Sequence, residues 1–282
     1  VMNVSVATTF VRIATAVKNI RIAVYERKTP SRLRCMSYLL NLVYLITLVI
    51  ASPWLVYNAI RKGKYQQGWG AKFLGRVPWR SPERPGIWLH AVSVGEVNLL
   101  QPLLAAIEDK HPDWECVIST TTRTGYELAR KKYAPRSVFY CPLDFSWAVR
   151  TALRRIQPQL LVLVELELWP NLIRWAKRSD IPVAIVNGRL SASSARGYSR
   201  IQFLMRRLLQ STSLVAVQNE EYAERFRQLG AVPDQIHVTG SLKFDGIDLD
   251  RGNPATRQLA ALARISDQDV VFLAGSTQSP EE

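Results

Sequence analysis

The feature that most constrains the fold is an alternation of short apolar runs with longer amphipathic segments after Pro85. The short runs are apolar throughout, which is typical of strands buried on both faces of a sheet. Strictly alternating strands and helices form parallel sheets that helices cover on both sides. The sequence therefore predicts an α/β fold with a Rossmann-like, doubly wound parallel sheet.

Seven strands are predicted, at residues 87–94, 115–121, 137–141, 160–166, 183–186, 214–217 and 236–238. Helices are predicted between them, at residues 97–110, 125–133, 145–156, 169–178, 195–210 and 220–229. Ligands of doubly wound sheets gather at the carboxyl ends of the strands. Side chains that directly follow a strand are therefore the candidates for a functional site.

Residues 35–60 contain no charged residue. A bilayer core requires about 20 mostly apolar residues, and Tyr38, Trp54 and Tyr57 near the ends of this run resemble interfacial anchors. We interpret residues 36–60 as one membrane-spanning or deeply embedded helix that stays attached to the protein. The alternatives are a buried core helix and a cleaved signal.

The segment before this helix, residues 1–35, is basic and begins with Val, while Met36 stands at the start of the apolar run. We interpret it as an extension that translation from Met36 would omit, and the alternative is a basic arm that binds anionic lipid. With a start at Met36, the amino-terminal flank has no Lys or Arg. The positive-inside rule then places the body of the chain in the cytoplasm.

The charge and the cysteines bear on partners and metals. The net charge is +14, with 37 Lys and Arg against 23 Asp and Glu, but part of the excess lies before the apolar helix and no basic–aromatic interleaving of an RNA-binding kind is present. The three cysteines lie far apart without metal-ligand spacing. We expect no nucleic-acid partner, no metal site and a reducing compartment.

Two domains are predicted in the body. Residues 61–245 form the first Rossmann-like domain, and residues 246–282 contain a linker, a helix near 255–264 and a strand at 270–274. One helix and one strand cannot bury their own apolar faces. The sequence therefore looks like the truncated start of a second domain.

The motif HAVSVGEV, residues 90–97, ends the first predicted strand. Gly95 allows a tight turn with close backbone approach, and Glu96 falls at a helix start, where the helix dipole favours its carboxylate form. Such a carboxylate is well placed to take a proton from a hydroxyl nucleophile. The alternative is that Glu96 only caps the helix, and His90 is expected to be a packed, hydrogen-bonded residue.

The motif LVLVELELWPN, residues 161–171 with the preceding Leu160, ends another apolar run with two carboxylates. Glu165 and Glu167 are two residues apart and are predicted on the same face at the carboxyl end of the strand. Buried carboxylates are costly unless they are paired or functional. The alternative is that one of them pairs with an arginine for structural reasons.

Three further motifs could contact anions. The segment NGRLSASSARGYSR, residues 187–200, is rich in hydroxyls and arginines, although a solvated loop explains its composition equally well. The segment VTGSLKFD, residues 238–245, places backbone N–H groups and the ammonium of Lys243 after a strand. The segment AGSTQSPEE, residues 274–282, shows a similar transition.

The motifs HAVSVGE, TTRTG, ELELWPN, NGRLS, QNEEYAERF and VTGSLKFD, in this order and spacing, resemble those of the 3-deoxy-D-manno-octulosonic acid (Kdo) transferases. The resemblance runs from about Ile87 to Asp245 and continues into GSTQSPEE. It implies a GT-B fold of two Rossmann-like domains that face each other across a cleft. It also implies an amino-terminal single-pass anchor in the inner membrane, with the catalytic body on the cytoplasmic side.

The resemblance further implies transfer of Kdo from CMP-Kdo to a lipid A precursor, with inversion at the anomeric carbon and neither a metal nor another cofactor. Glu96 matches the family's general base, and Glu165 and Lys243 match residues that stabilise the transition state. The predicted substrate-binding residues are Ser93, Gly95, Glu167, Asn171, Arg189, Ser241, Ser276 and Thr277. Membrane lipids are further expected partners.

Two other functions stay open from the sequence. One is a membrane-associated GT-B transferase that uses a different nucleotide-sugar donor. The other is a truncated, non-catalytic module that binds acidic glycolipid.

Overall fold

A computed structural model of the chain describes residues 33–62, 67–244, 253–266 and 268–272. The strands in these residues are β1 Gly86–His90, β2 Glu115–Thr120, β3 Val138–Tyr140, β4 Leu160–Val164, β5 Val183–Gly188, β6 Leu214–Val217 and β7 Ile236–Val238. The α-helices are α1 Leu33–Lys62, α2 Trp69–Leu74, α3 Val94–Lys110, α4 Arg123–Lys132, α5 Ser146–Ile156, α6 Pro170–Arg178, α7 Ala192–Ser199, α8 Gln202–Leu209, α9 Glu220–Gln228 and α10 Pro254–Leu262. Short 3₁₀ turns occupy Pro233–Gln235 and Leu242–Phe244.

All seven strands belong to one sheet in the order β3-β2-β1-β4-β5-β6-β7. Every neighbouring pair is parallel. The chain moves outward from β1 to β3, returns to the other side of β1 at β4 and continues outward to β7. The prediction of an α/β, Rossmann-like parallel sheet is therefore confirmed, with its topological switch point between β1 and β4.

Helices cover both faces of this sheet because successive strand residues point to opposite sides. Leu89 of β1 lies in the core under α3 and α4, whereas its neighbour Trp88 lies in the core under α5 and α6. A third core around Phe226 joins α8 and α9 to β5 and β6. The sheet is therefore buried on both sides, which explains why its strands are apolar throughout.

Two strands end at least two residues earlier than the sequence predicted, and both of these differences lie at the candidate site. β1 ends at His90 rather than at residue 94, because Ser93 already caps α3 and accepts a hydrogen bond from the Glu96 N–H. β4 ends at Val164 rather than at residue 166, because Glu165 adopts a left-handed backbone conformation with φ of 59°. The alternation that placed Glu165 and Glu167 on one strand face stops there.

The predicted single helix at 195–210 is wrong in one respect, because it is two helices, α7 and α8. Ile201 breaks the helix with φ of −117° and ψ of 31°. The break lets α8 turn Met205 and Leu209 into the core, whereas α7 has no buried residue.

The carboxyl-terminal segment is described only in part. The chain divides into two compact units, Val1–Asp245 and Gly246–Glu282. The helix predicted near 255–264 is present as α10. Of the strand predicted at 270–274, residues 270–272 are not in a strand, and the remaining two lie outside the described residues.

Helix α1 is long, apolar and mostly exposed. Within the described part of the chain, one helical window, Ser37–Trp54, is long and apolar enough to cross a membrane, and 11% of that window is buried. Near the start of the window, α1 contacts the body. The Asn41 amide bonds to Ser146, and the Tyr44 hydroxyl donates to Asp144 Oδ2 at 3.0 Å.

Candidate active site

Three carboxylates meet at the switch point of the sheet. Glu96 lies in the first turn of α3 after β1, and Glu165 and Glu167 follow β4, the strand next to β1. Because α3 and α6 leave toward opposite faces, the sheet opens a crevice between these two strand ends. The carboxylates interact electrostatically: Glu165 raises the pKa of Glu96, and both Glu96 and Glu165 raise the pKa of Glu167. The topology thus brings together three residues that the sequence selected.

Glu96 is buried and hydrogen-bonded through both carboxylate oxygens. Val92 N–H donates to Oε2 at 2.8 Å, and the Ser93 hydroxyl donates to Oε1 at 2.8 Å. Burial raises the pKa of Glu96, and these two hydrogen bonds oppose the rise. The capping arrangement is therefore real, and it also fixes the carboxylate in a site where its proton affinity is increased.

Glu165 holds an unusual backbone conformation at the end of β4. Its φ of 59° lies in the left-handed region, which costs a non-glycine residue about 1–2 kcal/mol. Its N–H donates to the Val186 carbonyl at 2.9 Å, so the sheet ladder holds the residue in place. Such conformations concentrate at functional sites, where the surrounding structure maintains them.

Of the three carboxyl groups, Glu167 has the most strongly raised pKa. Burial is the main cause and repulsion from Glu96 the next, and together they raise the pKa of Glu167 to about 7. The Trp169 side chain opposes the shift. Near pH 7, Glu167 is therefore able to exist as a neutral acid beside an ionised neighbour.

A cationic side chain, Lys243, lies at the same edge of the sheet. The turn Leu242–Phe244 follows β7 and packs on α3, with Leu242 in the core that also contains Val97. Leu242 N–H donates to Asn187 Oδ1 at 3.1 Å, which fixes the turn to the end of β5. Ser241 is half-buried and Lys243 is exposed, so the ammonium is open to a ligand.

The other predicted binding residues differ in their surroundings. Ser93 caps α3 and Arg189 is exposed after β5. Gly95 is not in the expected tight turn but within the first turn of α3, exposed, and a Cβ there would make an ordinary contact of 3.8 Å with Ser93 Oγ. Ser276 and Thr277 lie outside the described residues.

Asn171 does not join the carboxylates. It is fully buried at the start of α6, where its N–H donates to Asp144 Oδ2 at 2.8 Å and its amide donates to the Asp144 carbonyl at 2.6 Å. Its amide also donates to Asn41 Oδ1 of α1 at 3.3 Å. These contacts tie helices together on the α1 side of the body.

Sequence reasoning missed the residues that support the Glu96 loop. The Thr122 hydroxyl caps α4 and donates to the Val92 carbonyl at 3.1 Å. A side chain at Gly125 would press on Thr122 Oγ1 and approach the Val92 carbonyl, so a glycine allows α4 to approach this loop. The TTRTG motif carried the signal, since a hydroxyl three residues before the glycine is a helix-cap pattern.

His90 is a structural residue of the strand, as the sequence suggested. It is fully buried, its Nδ1 lies 2.9 Å from Ser119 Oγ, and burial lowers its pKa to about 4. Among the described residues, no group of three or more His, Cys, Asp and Glu is arranged to hold a metal ion.

The fold and the site together define a Rossmann-like domain with a carboxylate cluster at its switch point. Residues 67–246 match the family model described as 3-deoxy-D-manno-octulosonic-acid transferase (kdotransferase). The chain therefore belongs to the Kdo transferase family.

Relatives and one solved structure illustrate the similarity. The chain is 33% identical over 248 residues to the Kdo transferase of Chlamydophila psittaci, covering 86% of this chain and 56% of that protein. It is 31% identical over 229 residues to the Kdo transferase of Haemophilus influenzae, covering 79% and 52%. The solved structure of UDP-GlcNAc 2-epimerase from Neisseria meningitidis aligns with a TM-score of 0.46 and 11% identity, over 63% of this chain and 53% of that one. The chain thus spans about half the length of the curated relatives it matches.

Proposed function

We propose that this protein takes part in lipopolysaccharide inner-core synthesis as an inverting glycosyltransferase that moves Kdo from CMP-Kdo to a lipid A precursor. Family membership supports the class of reaction. The observation that carries the assignment of the chemistry is the carboxylate cluster of Glu96, Glu165 and Glu167 at the switch point. A second Rossmann-like domain, begun after residue 246, would supply most of the donor contacts.

In this mechanism Glu96 is the general base. The acceptor hydroxyl oxygen attacks the anomeric carbon of Kdo, its proton passes to Glu96, and the bond from that carbon to the CMP phosphate oxygen breaks. The raised pKa of Glu96 suits this role, because a stronger base takes a proton more readily while ionised. Its hydrogen bonds to Val92 and Ser93 hold the carboxylate in one orientation before the substrate arrives.

Lys243 and the neighbouring carboxylates complete the site. The exposed ammonium of Lys243 offsets the negative charge that gathers on departing CMP. Glu165 stabilises positive charge that develops on the sugar ring, and Glu167, with a pKa of about 7, donates or accepts a hydrogen bond as its proton moves. Ser93, Gly95, Arg189 and Ser241 border the same sheet edge and are proposed to bind substrate, as are Ser276 and Thr277, whereas the buried Asn171 is not.

Helix α1 is proposed to attach the body to the cytoplasmic face of the inner membrane. Because Asn41 and Tyr44 bond to the body and Asn58 is buried, the part of α1 that is free to enter hydrocarbon lies between Leu45 and Tyr57. This stretch is about 20 Å long at 1.5 Å per residue, less than the roughly 30 Å of a bilayer core. These contacts favour deep embedding from the cytoplasmic side over a full crossing.

The experiment is a transfer assay with CMP-Kdo and a lipid A precursor, using the complete protein in membranes. Glu96→Gln keeps the shape of the side chain but cannot take the proton, so we expect the rate to fall by about 10²–10⁴. Glu127→Gln is the matched control, because Glu127 is exposed on α4 and pairs with Arg123. Undiminished transfer by Glu96→Gln would remove Glu96 as the base, and transfer only from other nucleotide sugars would replace the donor.

A further inference from the structure

A cavity of about 680 Å³ lies between α1 and the body, away from the carboxylate cluster. Its walls combine apolar, aromatic and cationic side chains, including Leu42, Leu45, Trp147, Arg150, Trp175 and Arg178. Trp175 and Arg178 lie in the last turns of α6, whereas the carboxylates lie beyond the first turn. At 1.5 Å per residue, the nine-residue helix places the Arg178 end of the cavity about 12 Å along its axis from the end near the carboxylates.

The two arginines of this cavity are prepared to receive an anion. The guanidinium groups of Arg150 and Arg178 lie 4.6 and 4.5 Å from the Trp175 ring centroid, so stacking holds both side chains while their edges keep N–H donors available. Arg178 Nη1 is buried and has no hydrogen-bond partner. Within the described part of the chain, neither arginine belongs to a salt bridge.

The surroundings are strongly positive. No Asp or Glu lines the cavity in the residues that the structure describes. Burial lowers the pKa of Arg174 on the same helix, and repulsion from Arg178 and Arg207 lowers it further, whereas the nearby Asp144 carboxylate opposes the shift. An anion bound at Arg178 would offset this repulsion among the arginines of α6 and α8. The charge of the site thus favours a phosphate group.

The opposite wall indicates that the phosphate belongs to a lipid. Leu42 and Leu45 come from α1, the helix with the composition of a membrane segment, and 54% and 41% of their surfaces are exposed. A ligand with a phosphate on the arginines and hydrocarbon along these leucines is an amphiphile held at the membrane surface. Arginine binds phosphate through two parallel hydrogen bonds, and tryptophan is enriched at the same depth of a bilayer.

We propose that this cavity binds the headgroup of an anionic glycerophospholipid, with Arg150 and Arg178 on the phosphate and the acyl chains along α1. The bound lipid fills the space between α1 and the body and fixes the distance of the body from the bilayer. The arginine end of the cavity lies about 12 Å along α6 from the carboxylate cluster, so the lipid phosphate is bound apart from the reacting groups.

The test measures binding to the full chain in a neutral detergent. The probes are dihexanoyl phosphatidylglycerol, dihexanoyl phosphatidylcholine and inorganic phosphate, titrated by calorimetry. We expect saturable binding of phosphatidylglycerol and at least about tenfold weaker binding of the other two. Arg150→Gln/Arg178→Gln should weaken phosphatidylglycerol binding by about 10–100-fold, since two charge-assisted contacts are lost.

Arg130→Gln/Lys131→Gln is the matched control, because it removes the same charge from exposed residues of α4 on the other face of the sheet. An equal loss in this control, or phosphate binding as tight as phosphatidylglycerol, would overturn the proposal, as would unchanged binding by the cavity variant. If circular dichroism shows that the glutamine variant is unfolded, Arg150→Lys/Arg178→Lys decides. Weakened binding by this variant supports the site, because lysine lacks the planar fork, and unweakened binding overturns it.

Discussion

At the scale of single residues, protonation of Glu167 makes the free energy of unfolding depend on pH. Its pKa of about 7 lies above the ordinary value of 4.5, mainly because the side chain is buried. Between those two pH values the folded protein binds more protons than the unfolded chain. The free energy of unfolding therefore decreases as the pH rises through this window.

We predict that Glu167→Gln removes part of this pH dependence. At pH 8 the variant should exceed the parent in free energy of unfolding by about 1–3 kcal/mol, because the parent must ionise a buried carboxyl group there. At pH 4.5 the two proteins should be nearly equal. Urea unfolding at both pH values measures the difference.

Glu127→Gln serves as the control for this measurement because Glu127 is exposed. A stabilisation by Glu167→Gln that is the same at pH 4.5 and pH 8 would contradict the assigned pKa. Asp144, buried with a pKa also raised to about 7, contributes to the slope that remains in the variant.

At the scale of elements, two helices of the body are capped by residues from elsewhere in the chain. Phe145 and Trp169, at the amino-terminal caps of α5 and α6, provide no side-chain cap. Asn41 of α1 accepts from Ser146 N–H at 3.0 Å instead, and Asp144 accepts from the Leu172 N–H at 2.8 Å. The contact between α1 and the body thus also supplies a hydrogen-bond acceptor that the amino-terminal end of α5 needs.

Asn41→Ala tests this role of α1. It leaves a buried N–H at the start of α5 without a partner, so we expect a loss of about 1–3 kcal/mol in the free energy of unfolding. Hydrogen exchange of the Ser146 amide should accelerate. Asn58→Ala is the matched control on the same helix, because in the part of the chain that the structure describes the buried Asn58 amide bonds to the Trp54 carbonyl within α1. Equal effects of the two substitutions would show that Asn41 does not act as a cap.

The junction of α2 and α5 depends on a glycine. Gly75 ends α2 with φ of 64°, and a Cβ there would overlap the Ala148 carbonyl of α5. We predict that Gly75→Ala lowers the free energy of unfolding by at least about 1–3 kcal/mol. Gly197→Ala in α7, with open space around it, should instead be neutral or stabilising by up to about 1 kcal/mol. Thermal unfolding of both variants checks the contrast, and a tolerated Gly75→Ala would contradict it.

At the scale of the whole molecule, the order of strands and helices could be predicted because each strand is buried on both faces and therefore reads as an unbroken apolar run. The carboxylates could be selected because charges at the end of such runs are conspicuous. The hydrogen bond between Asn41 and Ser146 joins residues 105 positions apart, and no local sequence pattern predicts it. The cavity arginines were missed for the same reason, since only packing of α1, α5 and α6 brings them together.

The final prediction depends on the topology that places β1 beside β4. Glu96 follows one strand and Glu165 follows the other, and the negative charge of Glu165 raises the pKa of Glu96 and of Glu167. Glu165→Gln removes that charge, so both pKa values should fall. If Glu96 is the base, transfer requires its ionised form, and the acidic limb of the pH profile should move to lower pH.

The measurement is kcat/KM against pH for the complete enzyme in membranes, compared with Glu127→Gln, which removes the same charge from the exposed face of α4. The maximum rate of Glu165→Gln is expected to fall as well, because Glu165 also stabilises the transition state. The pH at which the acidic limb lies does not depend on that maximum rate. A limb that stays in place or moves to higher pH would show that Glu165 and the base do not share one crevice. A shift in Glu165→Gln alone would mean that the sheet topology, by placing β4 beside β1, adds to the proton affinity that burial and the local loop give the base.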